Sequence, residues 1–259
     1  LLLEKLHCKV IKIHCDNTGR FPRGTEPISS NLGDLTKTVR EHNADIGFAT
    51  DPDADRLAIV DNKGKPIGEE STLILALESY LKYYQDSQIV VTNLSTSMAV
   101  DVIAHKYNST VQRSSVGEIN VVEKMKELNS VIGGEGNGGV ILREVHLGRD
   151  SAVAIGMILN LLTNIDKSIN EIVAEMTSYH LIKDKIEFAD NNSFSIDTLA
   201  TVFNCDEINR LDGIKFIWKK ERKWVHIRKS NTEPIVRVFA EAETQEDAIE
   251  LVNYLKKSL

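Results

Sequence analysis

Apolar residues recur along this chain at two spacings, and the switch between them predicts the elements. Residues 9–14 carry Val10, Ile11 and Ile13 among polar neighbours and read as a strand, while Leu32, Leu35 and Val39 share one face of a helix over 32–42. Short apolar runs at 45–50 and 57–61 predict two more strands, and Asn62-Lys63-Gly64-Lys65 is a turn that closes a first unit at residue 65. From Pro66 the same grammar continues, with helices over 71–84 and 97–106 and strands at 89–91 and 110–112. An amphipathic helix bearing Val121, Val122, Met125 and Leu128 then leads into Val131-Ile132, a glycine-rich turn and a strand at 140–142. Two helices finish this second unit at residue 179, the last opened by a capping box of Ser168 and Glu171.

From about residue 180 the character changes. Strands follow one another at 214–218, 223–228 and 235–242, before a helix with Thr244 as N-cap and Ala248, Leu251, Val252 and Leu255 on one face. Alternation of strand and helix over 1–65 and 66–179 predicts α/β layering with crossover connections; strands in succession over 180–259 predict a hairpin-built sheet. The expected fold class is α/β, with two α/β domains followed by an α+β C-terminal domain.

Composition narrows the function classes. A chain of 259 residues, 42% of them hydrophobic, can bury the cores of two or three small domains. Its net charge of −7 comes from 38 acidic and 31 basic side chains without long single-sign blocks, which argues against a nucleic-acid footprint and against a polybasic membrane anchor. Any anionic ligand must then be held by local basic residues. Cys8, Cys15 and Cys205 are scattered and odd in number, as expected of core or surface thiols in a reducing compartment. The most apolar helical stretch, 152–162, is too short to span a bilayer and contains Asn160, and Leu1-Leu2-Leu3 gives way at once to Glu4 and Lys5 rather than forming a secretory leader. A cytoplasmic location is the expectation. The chain does not open on Met, which predicts that it belongs to a longer protein.

Three stretches carry chemistry. In Asp51-Pro52-Asp53-Ala54-Asp55-Arg56, three carboxylates stand at alternate positions just after an apolar run, so an extended backbone would point their oxygens the same way. Carboxylates this close repel unless a cation neutralises them, and oxygen-only ligands suit Mg²⁺, Mn²⁺ or Ca²⁺. An EF-hand is excluded, because its sixth and twelfth positions would be Arg56 and Asn62 rather than Gly and Glu. The bland reading is an acidic surface turn. Gly133-Gly134-Glu135-Gly136-Asn137-Gly138-Gly139 sets one carboxylate and one amide among glycines that let a ligand approach the backbone, a set able to read vicinal hydroxyls, or else a flexible turn. It is neither a dinucleotide nor a Walker loop. Arg228-Lys229-Ser230-Asn231-Thr232-Glu233-Pro234, with Arg237 on the next strand, offers charge and directional donors matched to a phosphate, or else an ordinary polar turn stopped by Pro234.

Together with His146-Leu147-Gly148-Arg149-Asp150, these motifs resemble, in letters and in order along the whole chain, the α-D-phosphohexomutase superfamily of phosphoglucomutases, phosphomannomutases and phosphoglucosamine mutases. The resemblance implies that 1–65 is the latter part of that family's second domain, 66–179 its third and 180–259 its fourth. It implies Mg²⁺ on Asp51, Asp53 and Asp55, with Arg56 beside the transferred phosphoryl group. Glu135 and Asn137 would read sugar hydroxyls, Gly117 and Glu118 would make further substrate contacts, and Arg228, Ser230, Asn231, Thr232 and Arg237 would clamp the non-reacting phosphate. Many members have Ser where this chain has Asn137. The implied activity interconverts hexose 6-phosphate and hexose 1-phosphate through a phosphoserine and a hexose 1,6-bisphosphate, which also serves as activator. That serine belongs to a Ser-His-Asn-Pro-type loop of the family's first domain, and no Ser-His pair occurs in this sequence. The expectation is a chain that binds a phosphosugar and cannot complete the cycle alone. A truncated phosphosugar-binding module, and a sugar phosphatase with Asp51 as nucleophile, stay open as other readings.

Overall fold

The computed structural model describes residues 1–16, 18–84, 87–187, 199, 201–230 and 235–258. After a short helix α1 (Leu2–Lys5), the chain runs irregularly to α2 (Gly33–His42), which lays Val39 against the hairpin of β1 (Ile46–Thr50) and β2 (Leu57–Asp61). The hairpin is antiparallel, with Ile46 opposite Asp61 and Thr50 opposite Leu57, so residues 51–56 form its tip. Residues 9–14 correct the sequence expectation: they form no strand, and Ile11 is 38% exposed. Alternation makes a strand only where a neighbour completes the ladder, and no described strand pairs with this segment.

The second unit is built on a four-stranded sheet of order β4-β3-β5-β6, from β3 (Ile89–Asn93), β4 (Thr110–Ser114), β5 (Ile132–Glu135) and β6 (Gly139–Leu142). Strand β3 runs parallel to β4 and β5, as crossover connections require, and β5 turns back on β6 as a hairpin. Helices α3 (Glu70–Tyr83), α4 (Ala99–Lys106), α5 (Glu118–Glu127), α6 (Ser151–Thr163) and α7 (Ile169–Glu175) pack around it. Helix α3 is apolar on most of its circumference, and Leu73, Leu75, Leu77 and Leu81 are fully buried at the centre of the largest core cluster. Each such leucine contributes roughly 1.5–3 kcal/mol of burial. Helix α7 opens with the expected capping box, in which Ser168 and Glu171 satisfy each other's backbone N–H groups.

The C-terminal part is a five-stranded antiparallel sheet of order β7-β11-β10-β9-β8, from β7 (His180–Glu187), β8 (Glu207–Asn209), β9 (Ile214–Trp218), β10 (Lys223–Lys229) and β11 (Ile235–Ala242). Helix α8 (Gln245–Lys257) covers one face with Ala248, Leu251, Val252 and Leu255, and Thr244 caps it by accepting from the N–H of Asp247. Two strands lie beyond the sequence expectation. β7 is an edge strand in which Lys183, Asp184 and Lys185 break the apolar pattern, and β8 is three mostly exposed residues. The mixed α/β units followed by an α+β sheet match the expected class.

The two larger sheets meet along a polar seam. Lys215 on β9 is 3% exposed, donates from Nζ to the carbonyl of Leu94 at 2.6 Å, and lies 3.7 Å from the centre of the Trp224 ring. Burial and the nearby Arg113 push its pKa well down. Glu241 on β11 accepts from the Met98 N–H at 2.8 Å and from Trp224 Nε1 at 2.7 Å. His226 on β10 is fully buried and bridges the same seam. The carbonyl of Asp212 can only accept, so His226 Nε2 carries the proton donated to it at 2.6 Å, and Nδ1 accepts from Ser95 Oγ at 2.9 Å.

Burial brings His226 down to about 4, against the opposing hydrogen bond to Asp212. A histidine whose folded pKa lies below its unfolded value near 6.5 stabilises the fold above that value and withdraws the contribution as pH falls towards 4. The protein is therefore expected to lose about 3 kcal/mol from this group between pH 6.5 and pH 4. Urea unfolding at pH 7, 5.5 and 4 checks this, and a His226→Gln variant that loses stability as steeply as the parent would refute it.

Candidate functional site

The hairpin tip brings the three aspartates together by a different route from the expected one. The backbone is not extended: the Ala54 N–H donates to the Asp51 carbonyl at 3.2 Å and Ala54 takes a left-handed φ of 58°, so a tight turn folds the loop back on itself. One ligand oxygen from each of Asp51, Asp53 and Asp55 lies within 4.8 Å of the others. That cluster of anionic oxygens fits a hard dication. Asp51 is buried and accepts twice from Arg56, from its backbone N–H at 3.0 Å and from Nε at 2.7 Å. Its pKa is lowered, because these bonds and one from Asp55 outweigh its burial. Asp55 is pushed up to about 6 by burial and by Asp51, against the pull of Arg149. An aspartate 2% exposed and held at both oxygens is poorly placed as a nucleophile, which disfavours the phosphatase reading.

The glycine-rich stretch is not a flexible turn. Gly133, Gly134 and Glu135 belong to β5 and are buried, and only residues 136–138 turn. Gly138 has φ +95° and accepts at its carbonyl from the Leu57 N–H at 3.0 Å, while a Cβ there would lie 2.5 Å from the Leu57 carbonyl oxygen. Only glycine fits, and this contact fastens β2, hence the aspartate loop, against the Glu135–Asn137 turn. A second fastening is the Ser151 N–H, at the start of α6, donating to the Ala54 carbonyl at 3.0 Å. A Cβ on Gly136 would collide with the Glu70 carboxylate, itself held by the Ser97 N–H at 3.0 Å and facing Lys183 at 3.8 Å. Burial pushes Glu70 up to about 8 against the pull of Lys183.

Glu135 is 3% exposed and receives three donors: Asn93 Nδ2 at 2.6 Å and the Gly117 N–H at 3.1 Å on Oε1, and Arg149 Nη1 at 2.6 Å on Oε2. Arg149 also pairs with Asp55, and its backbone N–H donates to Glu118 at 2.8 Å. One guanidinium thus ties the aspartate loop to the Glu135–Asn137 turn. In the sequence Arg149 is one letter of the His146–Asp150 motif, and nothing local marks it for this task. The flanking His146 and Asp150 pair with each other at 3.0 Å, and Asp150 caps α6 through the N–H groups of Ala152 and Val153, which leaves Arg149 as the motif's reach into the site.

On the five-stranded sheet, Arg228 and Arg237 are direct cross-strand partners. Arg237 lines a cleft of about 600 Å³ together with Arg56, Glu135 and Asn137, so residues from all three motifs surround one space. Lys183 and Lys185 of β7 also line it, cations that the sequence pattern did not single out. Arg228 is more deeply set, its side chain 8% exposed and its Nε bonded to Asp212 at 3.0 Å. The Ser230 N–H donates to the Ile235 carbonyl at 2.9 Å across the mouth of the loop. Asn231 and Thr232 lie outside the described residues. Among the described residues, no helix is long and apolar enough to cross a membrane.

Sequence models of phosphoglucomutase/phosphomannomutase match in chain order: alpha/beta/alpha domain II over residues 1–64, alpha/beta/alpha domain III over 68–179 and the C-terminal domain over 198–257. A phosphoglucomutase/phosphomannomutase of Thermococcus kodakarensis is 34% identical over 252 residues, which cover 96% of this chain and 55% of that protein. A probable phosphoglucosamine mutase of Methanopyrus kandleri is 32% identical over 255 residues, 97% of this chain and 56% of that one. Among solved structures, a phosphoglucomutase/phosphomannomutase family protein of Burkholderia thailandensis superposes with a TM-score of 0.85 at 22% identity, over 99% of this chain and 56% of that chain, a likeness of fold. The chain spans a little over half the length of these relatives.

Proposed function

The chain belongs to the phosphoglucomutase/phosphomannomutase family, and from that premise we propose that it supplies the metal-, sugar- and phosphate-binding parts of a mutase that interconverts hexose 6-phosphates and hexose 1-phosphates. The observation that carries this reading is the single cleft lined by Arg56, Glu135, Asn137 and Arg237. Asp51, Asp53 and Asp55 would hold Mg²⁺, which supplies charge neutralisation at the phosphoryl oxygens during transfer. Arg56, fixed by Asp51, presents a cation beside that centre. Glu135 and Asn137 accept from and donate to the sugar hydroxyls, with Gly117 and Glu118 making further contacts to the substrate. Arg228, Ser230, Asn231, Thr232 and Arg237 hold the phosphate that does not react, so the hexose can present either end to the metal loop. Charge and positioning, rather than a nucleophile of this chain, are its contribution to catalysis.

In this reading the phosphoserine and the exchange through a hexose 1,6-bisphosphate belong to the complete protein. The complete protein, given Mg²⁺ and a hexose 1,6-bisphosphate, is expected to convert at least one of glucosamine, mannose or glucose 6-phosphate to its 1-phosphate, while the 259-residue chain alone binds the ligand without turnover. A coupled assay on all three sugars decides it, and failure to turn over any of them rules the reading out.

A further inference from the structure

Glu135 and Arg228, which that reading assigns to the sugar and to the distal phosphate, belong to different sheets, yet a closed ring of hydrogen bonds joins them through one residue that none of the motifs contains. Asp212 Oδ2 accepts from Arg228 Nε at 3.0 Å and from the Val116 N–H at 2.9 Å. The next amide, Gly117 N–H, donates to Glu135 Oε1 at 3.1 Å. On the other side the Asp212 carbonyl accepts from His226 Nε2, His226 Nδ1 accepts from Ser95 Oγ, and the Ser95 N–H donates to Asn93 Oδ1 at 2.8 Å. Asn93 Nδ2 then returns to Glu135 Oε1 at 2.6 Å. Gly213 keeps Asp212 close to β10, since a Cβ there would collide with the Ile227 carbonyl and approach the Arg228 Cα to 2.9 Å.

The chemistry of the ring is directional. A carboxylate that takes Nε of an arginine fixes the plane of the whole guanidinium, and fork-like recognition of a phosphate depends on that plane. The same oxygen takes the Val116 N–H, so the angle of Arg228 and the position of the 116–117 amides cannot change independently. The Gly117 amide in turn fixes one oxygen of Glu135. His226, Glu135 and Asn93 are buried, and the residues that link them, Ser95, Val116, Gly117 and Asp212, are partly buried.

We propose that Asp212 is a positioning residue that couples Arg228 to Glu135, so that phosphate and sugar are recognised jointly across the seam between the sheets. The inference rests on the roles given to Arg228 and Glu135 above. It is tested on the 259-residue chain with inorganic phosphate, a probe too small to reach both loops, and with glucosamine 6-phosphate. In the parent chain, Glu135→Gln is expected to weaken inorganic phosphate severalfold although phosphate does not touch Glu135. Asp212→Asn should weaken it about tenfold, the scale of one charge-assisted hydrogen bond. In the Asp212→Asn background the Glu135→Gln change should have no further effect on phosphate, a non-additivity that loss of packing alone does not produce. Additive effects overturn the coupling. Should Asp212→Asn fail to fold, the parent chain still answers: titration with inorganic phosphate must shift the Arg228 Nε and the Val116 and Gly117 amide resonances together, and a response at Arg228 alone overturns the inference. Absence of phosphate and glucosamine 6-phosphate binding by the parent chain would instead overturn the phosphate clamp itself, and this inference with it.

Discussion

Replacing Asp53 with asparagine is expected to reduce Mg²⁺ affinity at least about a hundredfold while leaving the melting temperature unchanged. Substitutions one shell away from a metal cost tenfold to a hundredfold, and loss of a direct anionic ligand removes more. Asp53 is the member of the triad best suited to the experiment, because it is exposed and, among the described residues, no hydrogen bond of its side chain holds the hairpin. Asp51 and Asp55 would each confound it, since Asp51 anchors Arg56 and Asp55 anchors Arg149. Calorimetric titration of Mg²⁺ into both chains, beside a thermal melt of each, checks the result. An Asp53→Asn chain that binds Mg²⁺ like the parent would remove the metal assignment.

Replacing Arg149 with methionine is expected to destabilise the fold by about 3–5 kcal/mol, the cost of breaking a buried ion pair from one side. Methionine keeps much of the volume and the apolar stem, so the loss reports charge rather than packing. It would leave Glu135, which is 3% exposed, without its Oε2 partner and Asp55 with Arg56, 3.5 Å away, as its remaining counter-charge. The variant should also unfold over a broader denaturant range near the hairpin, because Arg149 acts beside the Leu57–Gly138 and Ala54–Ser151 bonds in holding the aspartate loop to the second unit. Urea denaturation measures the change. A loss below about 1 kcal/mol would mean that the pair is solvated and that Arg149 does not hold the loops together.

Much of this arrangement was legible in the sequence because it lies in local patterns. Apolar runs at 45–50 and 57–61 with a polar tip between them define the hairpin, and the pairing of Ser168 with Glu171 and the N-cap Thr244 mark two helix starts. The α/β alternation through residue 179 and the succession of strands afterwards follow from the same periodicities. What escaped was set by partners distant in the chain. Residues 9–14 have the spacing of a strand and no neighbour to pair with, whereas β7 has charged residues at its centre and eight backbone partners along β11. The aspartates converge by a turn at Ala54 rather than by extension, which no alternation rule conveys. Asp212, His226, Asn93 and Glu70 are ordinary letters in ordinary surroundings. Their roles exist only once a second sheet is laid against the first.

The seam also governs when this cleft can exist during synthesis. The bond from Lys215 to Leu94 spans 121 residues and that from Met98 to Glu241 spans 143, so neither can close until its distant partner has been made. The four strands of the β4-β3-β5-β6 sheet are all synthesised before the strands that cover its β3 end. Such long closures are slow steps, because loop entropy is lost before the contacts reward it. Until β9 and β11 arrive, the carbonyl of Leu94 and the amide of Met98 lack these partners. The cleft thus depends on strands made well after its first wall, and a nascent chain halted before residue 235 has the aspartate loop and the Glu135–Asn137 turn but not Arg237 and Phe239 opposite them.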